Sequence, residues 1–274
     1  MPIDLPDDLT STLQEGRQAY IAVPSKHGPH VTPELYTWSD GQLWFASATT
    51  TLKAKVLDRE GCGGVLVTSA GRSVVLTGPV AAYDPRDVRS IASTLRSLPS
   101  VARASGSFVT RNASDLLAFV GDTARGRLGR KPPPMRVLFA LDPDRAAGVE
   151  NDRLTGAWGG WSGPDLADDT MVPAGGSAAV LAVPGPVPLP ARWFEDDKEC
   201  FVAPDLLAML DLDDRIPIGL VTDEYHRPGP AAKAGALLRG EATIGDRPGV
   251  VKVDAERLVE WDGVETSSRS ADDL

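Results

Sequence analysis

Cysteine is nearly absent from this chain of 274 residues: only Cys62 and Cys200 occur, at non-equivalent places in the repeated pattern described below. A disulfide scaffold is therefore not expected, and a reducing cytoplasm is the expected compartment. The three histidines, His27, His30 and His226, have no metal-ligand spacing. Neither an HExxH, a Walker nor a nucleophile-elbow pattern occurs, so no metal centre is expected and no catalytic residue can be named. Acid groups such as Asp213–Asp214 read as solvated faces. No apolar run approaches the roughly 18 residues of a membrane span, and the opening MPIDLPDDLT lacks the basic-then-apolar layout of a secretory signal. Basic residues are also outnumbered, 28 Lys and Arg against 38 Asp and Glu, for a net charge of −10. Nucleic acid is excluded as a partner, because binding its phosphates needs a basic face. One basic cluster stands out: Arg125, Arg127, Arg130, Lys131 and Arg136 in TARGRLGRKPPPMR. It reads as a solvated loop or as a docking surface for an anion.

What is present is a β-rich pattern that occurs twice. AYIAV (19–23), LYTW (35–38), LWFASA (43–48), GVLVT (64–68) and LTGPV (76–80) have counterparts in AVLAV (179–183), RWF (192–194), CFVA (200–203), IGLVT (218–222) and LRGEA (238–242). A closing strand follows in each copy, VLFALDPDR ending at Arg145 and VVKVDAER ending at Arg257. Such self-similarity sets the architecture before any single residue does. The expected division is a first copy over 1–154, a Gly/Pro/Trp linker over 155–178 and a second copy over 179–274.

The local signals agree with strands. Short runs rich in Val, Tyr, Trp and Leu are broken by turn chemistry at SKHG (25–28), SDGQ (39–42) and SAGR (69–72). A helix is expected over 8–17 and another over LKAKVLDRE, capped from Thr49, Thr50 or Thr51 and stopped at Gly61. A helical insert is expected over about 85–130: Val88, Ile91, Leu95 and Leu98 recur at helical spacing, and Leu116, Leu117, Phe119 and Val120 give a second helix over 113–124 an apolar face. The second copy lacks the insert and has instead a long hairpin loop, EYHRPGPAAKAGA. The tail beyond Gly263 is polar and expected to fray.

The start of the 52–60 helix is the candidate phosphate site. Unpaired backbone N–H groups and the positive end of the helix dipole meet the hydroxyls of Thr49, Thr50 and Thr51 and the charge of Lys53, with Lys55 second in order. The alternative is an ordinary Thr-capped surface helix with solvated lysines. The matching stretch of the second copy, APDLLAMLDLDDR, has no lysine and carries Asp205, Asp211, Asp213 and Asp214. Carboxylates there would repel a phosphate.

These segments resemble the flavin-binding split-barrel superfamily, the pyridoxamine 5′-phosphate oxidase-like proteins and their deazaflavin-using relatives. The resemblance is carried by AYIAV, GPHVTPELYTW, DGQLWFASATTTLKAKVLDRE, GVLVTSAGRSVVLTGPVAAY and VLFALDPDRAAGV. It covers 15–85 well and the closing strand adequately, is weak over the second copy and does not explain 86–134. It implies a mostly β fold with a helical insert, two fused FMN-binding split-barrel repeats forming an intrachain pseudo-dimer. It also implies a phosphate docked after the third strand by Thr51 and Lys53, with His30 and Thr32 beside the flavin ring. The 44–48 strand, including Ser47, would meet the polar edge of the ring.

The function this resemblance implies is a flavin- or deazaflavin-dependent oxidoreductase acting on a small molecule, with FMN as the expected cofactor. The second copy would serve as the opposing wall, and the chain would be a monomeric pseudo-dimer or pair again as a homodimer. The alternative is a haem-binding or cofactor-free protein with a sequestering or regulatory role, with His27, His30 or His226 as axial ligands. Trp158 and Trp161 either roof the flavin pocket or pin the linker to the barrel. Trp38, Trp44, Trp193 and Trp261 read as packing residues.

Overall fold

The structure is a computed structural model, described for residues 3–84, 97–125, 135–161, 172–225, 233–245, 247–262 and 265–270. The mostly β, two-barrel class with helices in the first half is the one observed. A short helix α1 (Asp7–Glu15) precedes β1 (Ala19–Val23), β2 (His30–Glu34), β3 (Tyr36–Ser39) and β4 (Gln42–Ala48). Helix α2 (Leu52–Glu60) follows, then β5 (Cys62–Ser69) and β6 (Arg72–Tyr83). Helices α3 (Leu98–Arg111) and α4 (Ala113–Ala124) lead to β7 (Arg136–Leu141), β8 (Arg145–Glu150) and β9 (Arg153–Gly159). The second half comprises β10 (Ser177–Val183), β11 (Val187–Phe194), β12 (Glu199–Phe201), α5 (Pro204–Ala208), β13 (Arg215–Tyr225), β14 (Lys233–Ile244), β15 (Val250–Asp262) and β16 (Glu265–Ser270).

The turn chemistry sets the hairpins. Asp40 and Gly41 both have positive φ, 54° and 74°, and so do Ala70 and Gly71, 48° and 80°. This is the geometry that follows the right-handed twist of the flanking strands. Helix α2 starts where expected: the Thr51 hydroxyl accepts from the Ala54 N–H, and Gly61 ends the helix in the left-handed region at φ 62°.

The two sheets join their strands in the same order. In the first, β1 pairs β2 and β5, β5 pairs β6, β6 pairs β7, β7 pairs β4 and β4 pairs β3. In the second, β10 pairs β11 and β13, β13 pairs β14, β14 pairs β15, β15 pairs β12 and β12 pairs β11, which closes the ring. The single strand β11 therefore does the work of β2 and β3 together. Registers fix the equivalences: Ala22 pairs Gly64 and Gly78 pairs Gly63, while Ala182 pairs Gly219 and Gly240 pairs Ile218. The matching of LTGPV with LRGEA thus holds residue for residue. GVLVT and IGLVT, however, are offset by one, since Gly64 corresponds to Gly219. The glycines are demanded by close approach. A Cβ on Gly78 would lie 2.2 Å from the Asp142 carbonyl oxygen, and one on Gly240 would lie 2.0 Å from that of Asp254.

Several expectations change. Residues 155–159, assigned by sequence to the linker, belong to β9, which pairs with β8 in the first sheet. Beyond Gly263, β16 pairs with β15 along Glu265–Ser270, its polar side chains all exposed. Backbone pairing, which polar composition does not reveal, holds this segment. The flanks of the expected long loop are strand up to Tyr225 and from Lys233; only 226–232, with His226, lie outside the described residues. Val88, Ile91, Leu95, Arg127, Arg130 and Lys131 also lie outside them. On α4, Leu117 and Val120 are exposed, so its apolar stripe is not buried among the described residues.

The two units share one seam. Ala22, Val31, Leu66, Val75 and Ala147 of the first sheet cluster with Val180, Ala182, Leu189 and Val221 of the second. The interior of the first barrel is a separate cluster around Ile21, Tyr36, Phe45, Val65 and Phe139. Each unit's opening hairpin crosses a glycine of the other: a Cβ on Gly64 would lie 2.1 Å from the Pro186 carbonyl oxygen, and one on Gly219 would lie 2.6 Å from that of Pro29. Residue i of one unit thus meets residue j of the other in both directions, as in an isologous dimer. Polar ties add to the seam. Tyr20 donates to Asp223 at 2.5 Å, Gln18 donates to the same carboxylate at 2.7 Å, and Arg192 meets Asp152 at 2.6 Å.

Candidate functional site

Strand alternation places His30, Thr32 and Glu34 on one face of β2. The first turn of α2 comes up beside that face. Lys53, only 3% exposed, donates from Nζ to the Thr32 hydroxyl at 2.7 Å and pairs with Glu34 Oε1 at 2.7 Å. The buried Ser47 hydroxyl, on β4, donates to the same Glu34 oxygen at 3.3 Å and lies 3.1 Å from the Thr51 hydroxyl. Thr51 in turn donates to the Ala48 carbonyl at 2.8 Å while capping α2. Five side chains drawn from β2, β4 and α2 thus form one connected polar group.

Burial pulls the Lys53 pKa below the ordinary lysine value, and the Glu34 carboxylate beside it pushes the other way. Arg136 on β7 and Lys233 on β14 also lower it, so cations from both sheets bear on this group. His30 meets Arg239 of β14 across the seam, its Nδ1 against a terminal guanidinium nitrogen. Burial, then Arg239, then Lys53 push the imidazole down to about 3. Burial also lowers the Arg239 pKa, with Arg257 contributing. The Arg239 Nε is buried and has no hydrogen-bond partner among the described residues.

Of the residues singled out from sequence, His30, Thr32, Ser47, Thr51 and Lys53 are brought together here. Thr49 and Thr50 flank the cap, Thr49 donating its N–H to the Met135 carbonyl at 2.9 Å and Thr50 exposed. Lys55 is exposed on the outer side of α2, as its offset of two from Lys53 dictates. Trp161 is buried within the seam cluster, and Trp158 packs against the first barrel's core. His27 is exposed in the β1–β2 turn. Arg136 is the described member of the basic cluster that reaches this region, donating to the Ala46 carbonyl at 3.1 Å.

Sequence reasoning missed Glu34, Lys233 and Arg239. Glu34 was findable, because it lies two residues beyond Thr32 and so on the same face of an expected strand. Arg239 lies 209 positions from His30 and no local signal joins them.

Registers locate the corresponding positions in the second unit. Leu189 corresponds to Thr32 and Ala191 to Glu34, through their pairings with Leu181 and Ala179. Val202 takes the place of Ser47, following Phe201 as Ser47 follows Ala46. All three are buried and apolar, so among the described residues Thr32, Glu34 and Ser47 have no polar counterparts there. Cavities elsewhere among the described residues include the following pair. One of about 320 Å³ is lined by Gln14, Arg111 and Asn112; the other, a cleft of about 1240 Å³, lies along the second sheet by Trp193, Asp223 and Trp261.

No protein-family model matches the chain, and no curated protein does. Among solved structures it is similar to a conserved hypothetical protein from Mycobacterium tuberculosis, at 16% identity and a TM-score of 0.38, over 55% of this chain and 88% of that one. It is also similar to a FAD-binding protein from Mesorhizobium loti, at 17% identity and a TM-score of 0.36, over 54% and 97%. A third is a pyridoxamine 5′-phosphate oxidase-related, FMN-binding protein from Nostoc punctiforme, at 16% identity and a TM-score of 0.35, over 57% and 87%.

Proposed function

We propose that this chain is a duplicated split-barrel protein that binds a phosphorylated flavin-type cofactor, FMN first and a deazaflavin second, at the polar group around Lys53. Its activity in this reading is that of an oxidoreductase on a small molecule. The observation that carries it is the connected group of Thr32, Glu34, Ser47, Thr51 and Lys53, bordered by Arg136, Lys233 and Arg239. Among the described residues, this set joins Glu34 to the Lys53 ammonium and three hydroxyls, with the charges of Arg136 and Arg239 bearing on it, in a protein of net charge −10. Such a donor-rich set fits an acceptor-rich anion. The matching pairing order of the two sheets supports duplication, and the apolar residues at the equivalent positions support one site per chain.

Lys53 is already paired with Glu34, so a phosphate would sit beside an ion pair rather than replace water on a free lysine. In this reading Lys53 holds Thr32 and Glu34 in place and adds charge, while Arg136 and the first turn of α2 present the outward donors. The flavin would supply the hydride chemistry; the chain's residues bind it, orient it and keep water from the seam. With both walls in one chain, a monomer suffices, and sedimentation at working concentration checks this.

The test is the absorption spectrum of the purified protein, followed by titration with FMN and with riboflavin. The expected result is tighter binding of FMN, with Lys53→Ala weakening FMN more than riboflavin. Equal weakening of the two would remove Lys53 from phosphate binding, and failure of the wild-type protein to bind either would end the flavin reading.

A further inference from the structure

We propose that Arg239 locks His30 as a neutral Nε2–H donor, and that the two residues, one from each sheet, together recognise an acceptor oxygen of the ligand held beside Lys53. The second half of this rests on the anion-binding reading above. The lock follows from donor chemistry. A guanidinium has five N–H donors and no acceptor, so the His30 Nδ1 that faces it must offer a lone pair. In a neutral imidazole the remaining proton then sits on Nε2. An imidazolium would carry a proton on both nitrogens and break the contact.

The surrounding charges act the same way. Arg239 of β14 and Lys53 of α2 both face the ring, Arg257 of β15 bears on Arg239, and Lys233 bears on Lys53. Glu34 is committed to Lys53. The low proton affinity of His30 agrees with this arrangement.

The second donor is Arg239 itself. Its Nε is buried and unmatched among the described residues, and a buried N–H without an acceptor is rare enough to need a reason. Register places Arg239 where the first sheet has Thr77, since each pairs with the glycine that the opposite hairpin crosses. The arginine is thus particular to the second unit, which has apolar residues at the positions of Thr32, Glu34 and Ser47 but supplies a donor to the first unit's site. A ligand satisfying both groups must bring a carbonyl, carboxylate or phosphate oxygen. The locked tautomer also leaves no Nε2 lone pair, so His30 cannot serve as a haem ligand through that atom.

Long-range ¹H–¹⁵N spectra of the ligand-free, full-length protein labelled in histidine decide the lock, with His30→Gln assigning the signals. The expected spectrum has an unprotonated Nδ1 and a protonated Nε2, unchanged from pH 8 to pH 5. A protonated Nδ1, or titration near the ordinary value of about 6.5, would overturn the lock. Titration with FMN decides recognition. Arg239→Lys keeps a charge but removes the Nε–H, and should weaken FMN about tenfold, while His30→Gln should weaken it less than His30→Phe. Unchanged FMN affinity in Arg239→Lys and His30→Phe would overturn recognition. If wild-type protein binds no FMN, the flavin reading and the ligand assigned to this pair both fall, while the lock is still decided by the ligand-free spectra.

Discussion

Lys53 and Glu34 illustrate how burial changes the meaning of a charged residue. A lysine at a helix start reads from sequence as a cation offered to solvent, yet its Nζ is spent on Thr32 and Glu34. Removing one member of such a pair leaves the other charge without compensation, which typically costs about 3 kcal/mol or more. Lys53→Met should therefore destabilise by about that amount in urea unfolding, and Lys53→Met with Glu34→Gln should recover part of the loss. Additive losses in the double variant would show that the two groups are not coupled. His30 makes a pH-dependent contribution of known sign. The folded state keeps this imidazole neutral down to about pH 3, whereas the unfolded chain binds the proton near the ordinary value of about 6.5. Between those limits the unfolded state holds more protons, so stability falls as pH falls from about 6.5 toward 3. Thermal melts should show the wild-type protein losing stability relative to His30→Gln across that window, and parallel curves would contradict the lowered proton affinity.

At the scale of elements, what was legible in the sequence was what local chemistry decides. Thr51 and Gly61 bracket α2, and Asp40–Gly41 and Ala70–Gly71 turn their hairpins, because capping and positive φ are demands on one or two residues. What was not legible depends on a distant neighbour. β9 and β16 look like linker and tail because their holding force is backbone pairing to β8 and β15. The one-residue offset of Gly64 against Gly219 was hidden for the same reason, since the opposite unit's hairpin sets where the glycine must fall. Within the site, Thr51 and Lys53 could be named, whereas Arg239 could not. The loss of the Thr51 cap in Thr51→Ala should cost about 1 kcal/mol in denaturant unfolding. Gly78→Ala and Gly240→Ala should each cost about 3 kcal/mol, because the new methyl meets a backbone carbonyl that cannot rotate away. Gly106→Ala, inside α3 with nothing within 4 Å of its Cβ position, should instead stabilise by about 1 kcal/mol. A similar small effect at all three glycines would mean that the closing strands yield where they cross β6 and β14.

At the scale of the whole molecule, the seam decides whether this is one folding unit or two. A barrel that only touched its neighbour would keep its own core and present a polar outer face. Here the outer faces of β1, β2 and β5 are apolar, with Ala22, Val31 and Leu66 each no more than 1% exposed, and they share a cluster with Val180, Ala182 and Leu189. Separating the units would bring all of these to water at once, together with Trp161, and would strand Asp223 from Tyr20 and Gln18. Loss of either barrel therefore removes a wall of the other, and the two should unfold in a single step. Urea unfolding followed by far-ultraviolet circular dichroism and by tryptophan fluorescence should give coincident single transitions, since the six tryptophans are spread over both halves. Gly64→Val should shift both probes together, because its side chain would be driven into the Pro186 backbone across the seam. Two resolved transitions, with fluorescence and dichroism following different midpoints, would mean that the halves are stable alone. The polar group of the first barrel would then form without its neighbour, and only the charges of Arg239 and Lys233 would depend on the pairing.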